Sequence, residues 1–148
     1  MNEIDQLIEI GGLKWQPLSK WASPSFIIPK KDHTVCTISD FRELNKHIVR
    51  KPYPIPKIST TLQELEGFTY ATTLDLNMGY YTIRLDPAAA KMCTIIFPWG
   101  KYSYQRLPMG FAGSADIFQA EMGNLMAALE YVRAYIDDHI GHHQEQPR

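Results

Sequence analysis

Three aspartates end strand-like stretches of this chain, and their carboxylates are the groups best suited to chemistry. Asp75 closes the stretch TYATTLDL, and Asp137 with Asp138 closes YVRAYIDD much later in the chain. If these two strands are antiparallel neighbours in one sheet, the three carboxylates meet at one edge, with a tight turn between the last two. Clustered carboxylates raise one another's pKa unless a cation neutralises them. We therefore expect two Mg²⁺ ions, replaceable by Mn²⁺, and a site suited to phosphoryl transfer.

A simpler interpretation of the same residues stays open at this point. Asp75 could cap a turn, and Asp137 with Asp138 could belong to a polar loop that binds nothing. Zinc held by the nearby histidines is disfavoured, because it would need an ordered scaffold and a fourth ligand. These histidines are His139, His142 and His143.

Composition limits the class of protein. The chain has 148 residues, 45% of them hydrophobic and 21% charged, which is typical of a globular domain with its own core. No apolar run approaches the roughly 20 residues of a membrane span. The N-terminus, MNEIDQ, does not resemble a signal peptide. Two cysteines without metal-type spacing are expected to be reduced thiols. We expect an intracellular, cytoplasmic protein that is not secreted and has no membrane partner.

The charges are distributed unevenly along the chain. Residues 14–57 carry nine Lys and Arg against three Asp and Glu, whereas residues 58–148 carry six basic and ten acidic residues. A basic segment beside a carboxylate-rich one suits a protein that handles phosphates. The alternative is that the basic segment is simply a solvated face.

Strand and helix patterns alternate irregularly, which is typical of α+β proteins. We expect an antiparallel sheet with helices packed on one face, preceded by a loosely attached leader over residues 1–13. Helical spacing and helix-favouring residues predict helices in DFRELNKH, Lys57–Glu66, DPAAAK and Ser114–Leu129. Runs of β-branched and aromatic residues predict strands in SFIIPK, TVCTIS, FTYATTLDL, YYTIRL, MCTIIF, WGKYSYQRL and EYVRAYI.

Six stretches occur in an order that makes a specific motif series: FIIPKK, ISDFRELNK, YPIPKI, LDLNMGYYTIRL, LPMGFAGSADIFQ and YIDD. Together with their spacing over residues 14–138, they resemble the reverse transcriptases of retroviruses and long-terminal-repeat retrotransposons, nearer the retrotransposon branch. The resemblance implies a right-hand polymerase fold, with fingers at about residues 14–70 and palm at about residues 71–138. It leaves residues 139–148 as a divergent polar tail, with thumb, connection and ribonuclease H regions absent.

The resemblance also implies roles for single residues. Asp75, Asp137 and Asp138 match the catalytic, metal-binding aspartates, and Leu76 would offer its backbone carbonyl to a metal. Nucleotide binding is implied for Lys30, Met78, Gly79, Tyr80, Met109 and Gly110. Template binding is implied for Asp40, Phe41 and Arg42. Within these sets, Tyr80 matches the aromatic gate that excludes a 2′-hydroxyl group, and Lys30 the fingertip cation that grips phosphate.

The implied reaction is template-directed DNA synthesis, in which a primer 3′-hydroxyl attacks the α-phosphate of a deoxynucleoside triphosphate. The implied partners are an RNA or DNA template with its primer and deoxynucleoside triphosphates, and the chain could belong to a larger polyprotein.

Three departures from the family pattern predict weak activity: Cys36, the sequence after YIDD, and the lack of a thumb to hold the duplex product. Cys36 stands where the family usually has an arginine, and a neutral thiol cannot grip a triphosphate. The polar sequence HIGHHQEQPR follows YIDD and is expected to continue the hairpin for three residues at most. We expect a truncated copy with weak or no activity alone. The alternatives are a non-catalytic remnant that binds nucleic acid through its basic segment, and a protein-interaction fragment.

Overall fold

The computed structural model describes residues 3–29, 31, 35–63, 70–76, 78–136 and 138–143. The chain forms two compact units, and each unit is made of two separate segments. The first unit contains Met1–Arg50 and Tyr80–Ser114, and the second contains Lys51–Gly79 and Ala115–Arg148. Neither unit is one continuous stretch, as a single division near residue 70 would require.

The first unit contains α1 (Glu3–Glu9), β1 (Leu13–Trp15), β2 (Ser23–Pro29), β3 (Val35–Ser39), α2 (Arg42–Asn45), α4 (Pro87–Met92), β5 (Thr94–Phe97) and β6 (Gly100–Tyr104). The second unit contains α3 (Ile58–Gln63), β4 (Tyr70–Asp75), β7 (Val132–Tyr135) and β8 (Asp138–His143). Helix α5 (Ser114–Met126) begins at the last residue of the first unit and runs into the second. The α+β class expected from the sequence is confirmed.

The first unit is built on a five-stranded sheet in the order β1-β6-β5-β2-β3. All pairs are antiparallel except β2 with β5, which is parallel. Ile95 lies near the middle of this sheet, pairing with Tyr102 on one side and Ser23 on the other, and is fully buried. The strands predicted in SFIIPK and TVCTIS are confirmed as β2 and β3, which pair antiparallel.

The expectation of a loosely attached leader is wrong for the described residues of that stretch. Helix α1 buries Ile4 and Leu7, which are 6% and 1% exposed. The helix ends when the amide of Gly12 donates to the carbonyl of Leu7, and Leu13 then opens β1. Ile4 and Leu7 therefore belong to the core of the first unit, because their helical spacing brings them to one face, whereas Ile8 and Ile10 are exposed.

The strand predicted for YYTIRL is wrong. Residues Gly79–Thr82 form a 3₁₀ turn, and beyond it only Arg84 makes an isolated bridge, with Arg106. The ring of Tyr81 stacks on that of Tyr104, with centroids 6.2 Å apart and planes 2° apart. Aromatic and β-branched residues favour strands because their side chains pack well on a sheet. In this segment Tyr81 packs on Tyr104 of β6 from a turn instead.

The second unit is built on a three-stranded sheet in the order β4-β8-β7. The possibility that β4 and β7 are antiparallel neighbours is not realised, because β8 lies between them and is antiparallel to both. The expectation that the hairpin would continue for three residues at most is also wrong, since β8 spans Asp138–His143. A central strand is hydrogen-bonded on both sides by its backbone, which does not require apolar side chains.

The predicted helices lie where they were expected, and α2 (Arg42–Asn45) and α5 are shorter than predicted. Helix α4 begins at Pro87, and the carboxylate of Asp86 caps it by accepting from the amide of Ala88 at 2.8 Å. Helix α5 ends at Met126 rather than at Leu129. The predicted helix Lys57–Glu66 is described as Ile58–Gln63, and its expected end lies outside the described residues.

Candidate active site

Asp75 and Asp138 are opposite one another at the end of the ladder between β4 and β8. They are Cα partners, and Asp138 also pairs with Tyr135 of β7. The central strand therefore begins at an aspartate that is flanked on both sides by the last residues of its neighbours. Like charges directly opposite one another destabilise a strand pair. Asp137 and the side chain of Asp138 lie outside the described residues.

The connection from β7 to β8 is a tight hairpin. Because Tyr135 pairs with Asp138, only Ile136 and Asp137 separate the paired residues. Ile136 has a φ of 51°, in the left-handed region that β-branched residues rarely adopt. Two-residue hairpin loops favour a positive φ at their first central position, because that backbone twist matches the twist of the strands. The turn thus places an unfavourable backbone conformation directly before the two aspartates in the sequence.

A buried side chain of α5 forms hydrogen bonds with the backbone of this turn. The carboxamide of Gln119, on α5, accepts a hydrogen bond from the amide of Ile136 at 2.7 Å and donates one to the carbonyl of Ala134 at 3.0 Å. Gln119 is 4% exposed. From the sequence, Gln119 is expected to belong to the scaffold behind Met109 and Gly110, and its contact with this turn is not predicted. The signal that could have found it is its position at the end of the motif LPMGFAGSADIFQ.

The segment that follows Asp75 makes a second tight turn. Met78 has a φ of 56°, and the amide of Gly79 donates to the carbonyl of Leu76 at 3.3 Å. A Cβ atom on Gly79 would lie 2.9 Å from the ring of Phe118 and 3.2 Å from the Cβ of Leu76. Glycine is therefore required here by close packing on α5.

A second group of expected site residues lies in the first unit around a cavity of about 340 Å³. Its lining includes Asp40, Phe41, Arg42 and Gly110. Phe41 is 1% exposed and packs edge-on against Tyr104, so it forms the wall of the cavity.

Asp40 and Arg42 form a two-point ion pair at this cavity. The Nε of Arg42 donates to both carboxylate oxygens of Asp40 at 2.9 and 3.0 Å, and its Nη2 donates at 2.6 Å. These side-chain hydrogen bonds, with one from the backbone amide of Arg42, lower the pKa of Asp40 to about 2. The side chain of Arg42 is 85% exposed, so one face of the guanidinium group is open to solvent.

The side chain of Asn45 forms hydrogen bonds to the loop at Met109 and Gly110, a role that was not predicted from the sequence. The side chain of Asn45 donates to the carbonyl of Gly110 at 2.9 Å and accepts from the amide of Ala112 at 2.7 Å. Gly110 has a φ of 81°, which glycine adopts without strain. Met109 is 53% exposed. Asn45 lies in the motif ISDFRELNK, and an amide that bridges two backbone groups is the physical reason for a polar residue there.

The remaining expected residues are placed as follows. Tyr80 is half-buried in the 3₁₀ turn, and its carbonyl accepts from the amide of Ile83 at 3.3 Å. Cys36 is half-buried on β3, where it pairs with Ile28. Lys30 lies outside the described residues.

The donor set at the edge of the second sheet fits a hard divalent cation. Carboxylate and carbonyl oxygens are the ligands that Mg²⁺ prefers in proteins, and Asp75, Leu76 and the two aspartates of YIDD offer only such atoms. Among the side chains that the structure describes, no three His, Cys, Asp or Glu residues lie together as a metal site. That set does not include the carboxylates of Asp137 and Asp138. In the described part of the chain, no helix has the length and apolar character needed to cross a membrane.

Curated relatives come from retrotransposons. The chain is 33% identical to the Retrovirus-related Pol polyprotein from transposon opus and 31% identical to that from transposon gypsy, both of Drosophila melanogaster, over 94% of its length. It is 29% identical to the Transposon Tf2-3 polyprotein of Schizosaccharomyces pombe over 98% of its length. It spans 14% of the length of the Drosophila polyproteins and 11% of the yeast one.

Solved structures of the prototype foamy virus protease-reverse transcriptase share the fold. A selenomethionine-labelled mutant superposes with a TM-score of 0.87 at 30% identity, covering 96% of this chain and 19% of that one. A structure of the foamy viral protein in complex with RNA/DNA hybrid superposes with a TM-score of 0.78 at 24% identity, with the same coverage. The expected polymerase fold is thus confirmed.

The family profile described as "Reverse transcriptase (RNA-dependent DNA polymerase)" matches residues 28–147, which include five whole motifs and all but the first two residues of FIIPKK. The match also includes most of the stretch that we expected to be a divergent tail. The chain belongs to the reverse transcriptase family.

Proposed function

We propose that this chain forms the fingers and palm of an RNA-directed DNA polymerase and carries its two-metal nucleotidyl transfer site. The observation that carries the proposal is the pairing of Asp75 with Asp138 at the end of the β4–β8 ladder, with Asp137 in the connection before it. This register brings two aspartate positions from distant parts of the sequence to one edge of a sheet.

The proposed ligands of two Mg²⁺ ions, replaceable by Mn²⁺, are the carboxylates of Asp75, Asp137 and Asp138 and the backbone carbonyl of Leu76. When bound, the two ions stabilise charge on the attacking and leaving oxygens of an in-line displacement. The protein's own contribution is to hold the carboxylates in register against their mutual repulsion.

The proposed substrates are a primer 3′-hydroxyl and the α-phosphate of a deoxynucleoside triphosphate. The turn at Met78 and Gly79 is the proposed contact for the triphosphate, with Tyr80 excluding a 2′-hydroxyl group. Lys30 contacts phosphate, while Met109 and Gly110 support the new base pair. The positive φ of Met78 supports this role, because backbone turned into the left-handed region forms concave anion-binding arrangements.

The proposed template contact is the cavity at Asp40, Phe41 and Arg42. Asp40 fixes the guanidinium group of Arg42 in one orientation, while its exposed face stays open to a phosphate. The basic segment over residues 14–57 supports the same role. The foamy viral protease-reverse transcriptase, whose fold this chain shares in part, was solved in complex with RNA/DNA hybrid.

We further propose that the chain acts within a longer polyprotein, because its curated relatives are polyproteins of which it spans a small part. An intracellular, cytoplasmic location is supported by Cys36 and Cys93, which are both free.

The test is primer extension on an RNA template with Mg²⁺ and deoxynucleotides. We expect Asp75→Asn to reduce extension at least about a hundredfold, as loss of a charge-stabilising group does in other enzymes. Glu121→Gln, an exposed change on α5, should retain the rate of the unmodified chain. Extension that survives Asp75→Asn unchanged would overturn the proposal.

A second function, nucleic-acid binding without catalysis, is favoured by Cys36, which offers no charge to a triphosphate. In that case the chain binds duplex with steep salt dependence but extends no primer. Arg42→Gln should lower the slope of log affinity against log salt by about one. Lys91→Gln, on α4 outside the basic segment, is the matched control. Extension of a primer by the unmodified chain would exclude this second function.

A further inference from the structure

Gln119 is a polar side chain with an unusual placement, because it is buried and both ends of its carboxamide bond to backbone. Its oxygen accepts from Ile136 and its nitrogen donates to Ala134, so the two bonds lie on either side of Tyr135. Buried amides are normally satisfied, and here both partners belong to the strand end and turn that precede Asp137 and Asp138.

The turn needs such support because of the residue at its first central position. Ile136 has a φ of 51°, and a β-branched side chain is strained in that region. A strained backbone conformation persists only where surrounding contacts hold it. The hydrogen bond from the amide of Ile136 to Gln119 is the contact that opposes relaxation of this residue.

The residue before Gln119 contacts the other arm of the same site. The ring of Phe118 packs against Gly79, in the turn that follows Asp75, and is fully buried. Adjacent residues of one helix turn therefore contact the segments next to both Asp75 and Asp138. Both segments therefore contact the same helix, α5.

We propose that Gln119 is a positioning residue of the nucleotidyl transfer site: it holds Ile136 in its left-handed conformation and thereby keeps Asp138 opposite Asp75 for metal binding. The effect on metal binding rests on the proposed function. The stabilisation of the Ile136 backbone conformation by Gln119 does not depend on it. Gln119 acts through the turn and contacts no reacting atom.

The first measurement is hydrogen exchange at the amide of Ile136 in the full chain without metal. Gln119→Met removes both hydrogen bonds with little change in volume, so exchange should be about tenfold faster. Gln119→Glu keeps an acceptor for Ile136 and should restore much of the protection. Glu121→Gln, on the exposed side of α5, should leave the exchange rate unchanged. Equal protection in Gln119→Met and the unmodified chain would overturn the proposal.

The second measurement separates positioning from general packing. Asparagine tolerates the left-handed region, so in Ile136→Asn the turn should no longer need the hydrogen bond from Gln119 to keep its conformation. Mn²⁺ affinity is measured by titration in the unmodified chain, Gln119→Met, Ile136→Asn and the double variant, with folding checked by far-ultraviolet circular dichroism. Gln119→Met should weaken Mn²⁺ binding about tenfold on its own, and by clearly less in the Ile136→Asn background.

An equal loss in both backgrounds would mean that Gln119 acts only through packing, which would overturn the positioning role. If the unmodified chain binds no Mn²⁺, the proposed function fails. The exchange result at Ile136 still decides whether Gln119 holds the turn. The two failures are thus distinguishable.

Discussion

Phe118 lies against Gly79 so closely that the ring stands 2.9 Å from where a Cβ atom on Gly79 would be. Gly79 is buried, and its amide closes the turn back to Leu76, the residue after Asp75. The contact fixes the distance between α5 and the end of β4. Any side chain at position 79 must push one of these elements away.

Gly79→Ala should therefore destabilise the second unit by about 1–3 kcal/mol, because overpacking forces a shift of the ring or of the turn. The free energy of unfolding is measured in urea. Phe118→Leu removes part of the ring, so Gly79→Ala should cost less in that background. Equal costs in both backgrounds would show that the contact with Phe118 is not the cause.

Arg42→Gln should raise the pKa of Asp40 from about 2 towards the ordinary range of a carboxyl group. The cause is loss of the side-chain hydrogen bonds and charge of Arg42. Because the pKa of Asp40 is lowered by folding, the ion pair is fully formed above the ordinary carboxyl pKa and is lost as the pH falls through about 2. A carbon-13 titration of the Asp40 carboxyl group measures the shift. A pKa that stays near 2 in Arg42→Gln would contradict the assignment.

The two cysteines should differ in reactivity. Burial raises the pKa of Cys93 to about 12, so almost no thiolate is present at pH 8 and alkylation should be slow. Cys36 is half-buried on β3 and should react first. Mass spectrometry after a timed iodoacetamide pulse measures both thiols. Fast labelling that survives Cys36→Ser would contradict this expectation.

Cys36→Arg should strengthen triphosphate binding by about tenfold or more, since a guanidinium group makes charge-assisted hydrogen bonds to phosphate that a thiol cannot make. Affinity for a deoxynucleoside triphosphate is measured by calorimetry with Mg²⁺. Cys36→Ser is the matched control and should bind no more tightly than the unmodified chain. Equal affinity in the arginine and serine variants would show that β3 does not face the nucleotide.

Elements with a clear local pattern were predictable from the sequence. The strand at TYATTLDL and the helix after Asp86 follow from β-branched runs and from Pro87 at a first turn. The 3₁₀ turn at Gly79–Thr82 was not predictable, because its aromatic residues have the same composition as a strand. In this turn Tyr81 stacks on Tyr104, a contact with a distant part of the chain that local composition does not reveal.

The same distinction applies to the candidate site. Asp75 and Asp138 were proposed as site residues from residue type and position. In the structure the two residues pair in the β4–β8 ladder. The backbone contacts of the Asn45 and Gln119 amides were not predicted, because each joins residues that are distant in the sequence and leaves no periodic signal. The extent of β8 was missed because pairing on both sides overrides its polar composition.

The central position of β8 also determines when the second sheet can form. Tyr70 pairs with His143, and β4 and β7 have no shared edge without the strand between them. During synthesis, β4 therefore emerges from the ribosome long before its only partner strand in this sheet. Contacts between such distant residues form slowly, and an unpaired strand edge is prone to aggregation. A nascent chain of this protein thus carries β4 unpaired until β8 has emerged from the ribosome, which is the interval in which a chaperone has most to protect.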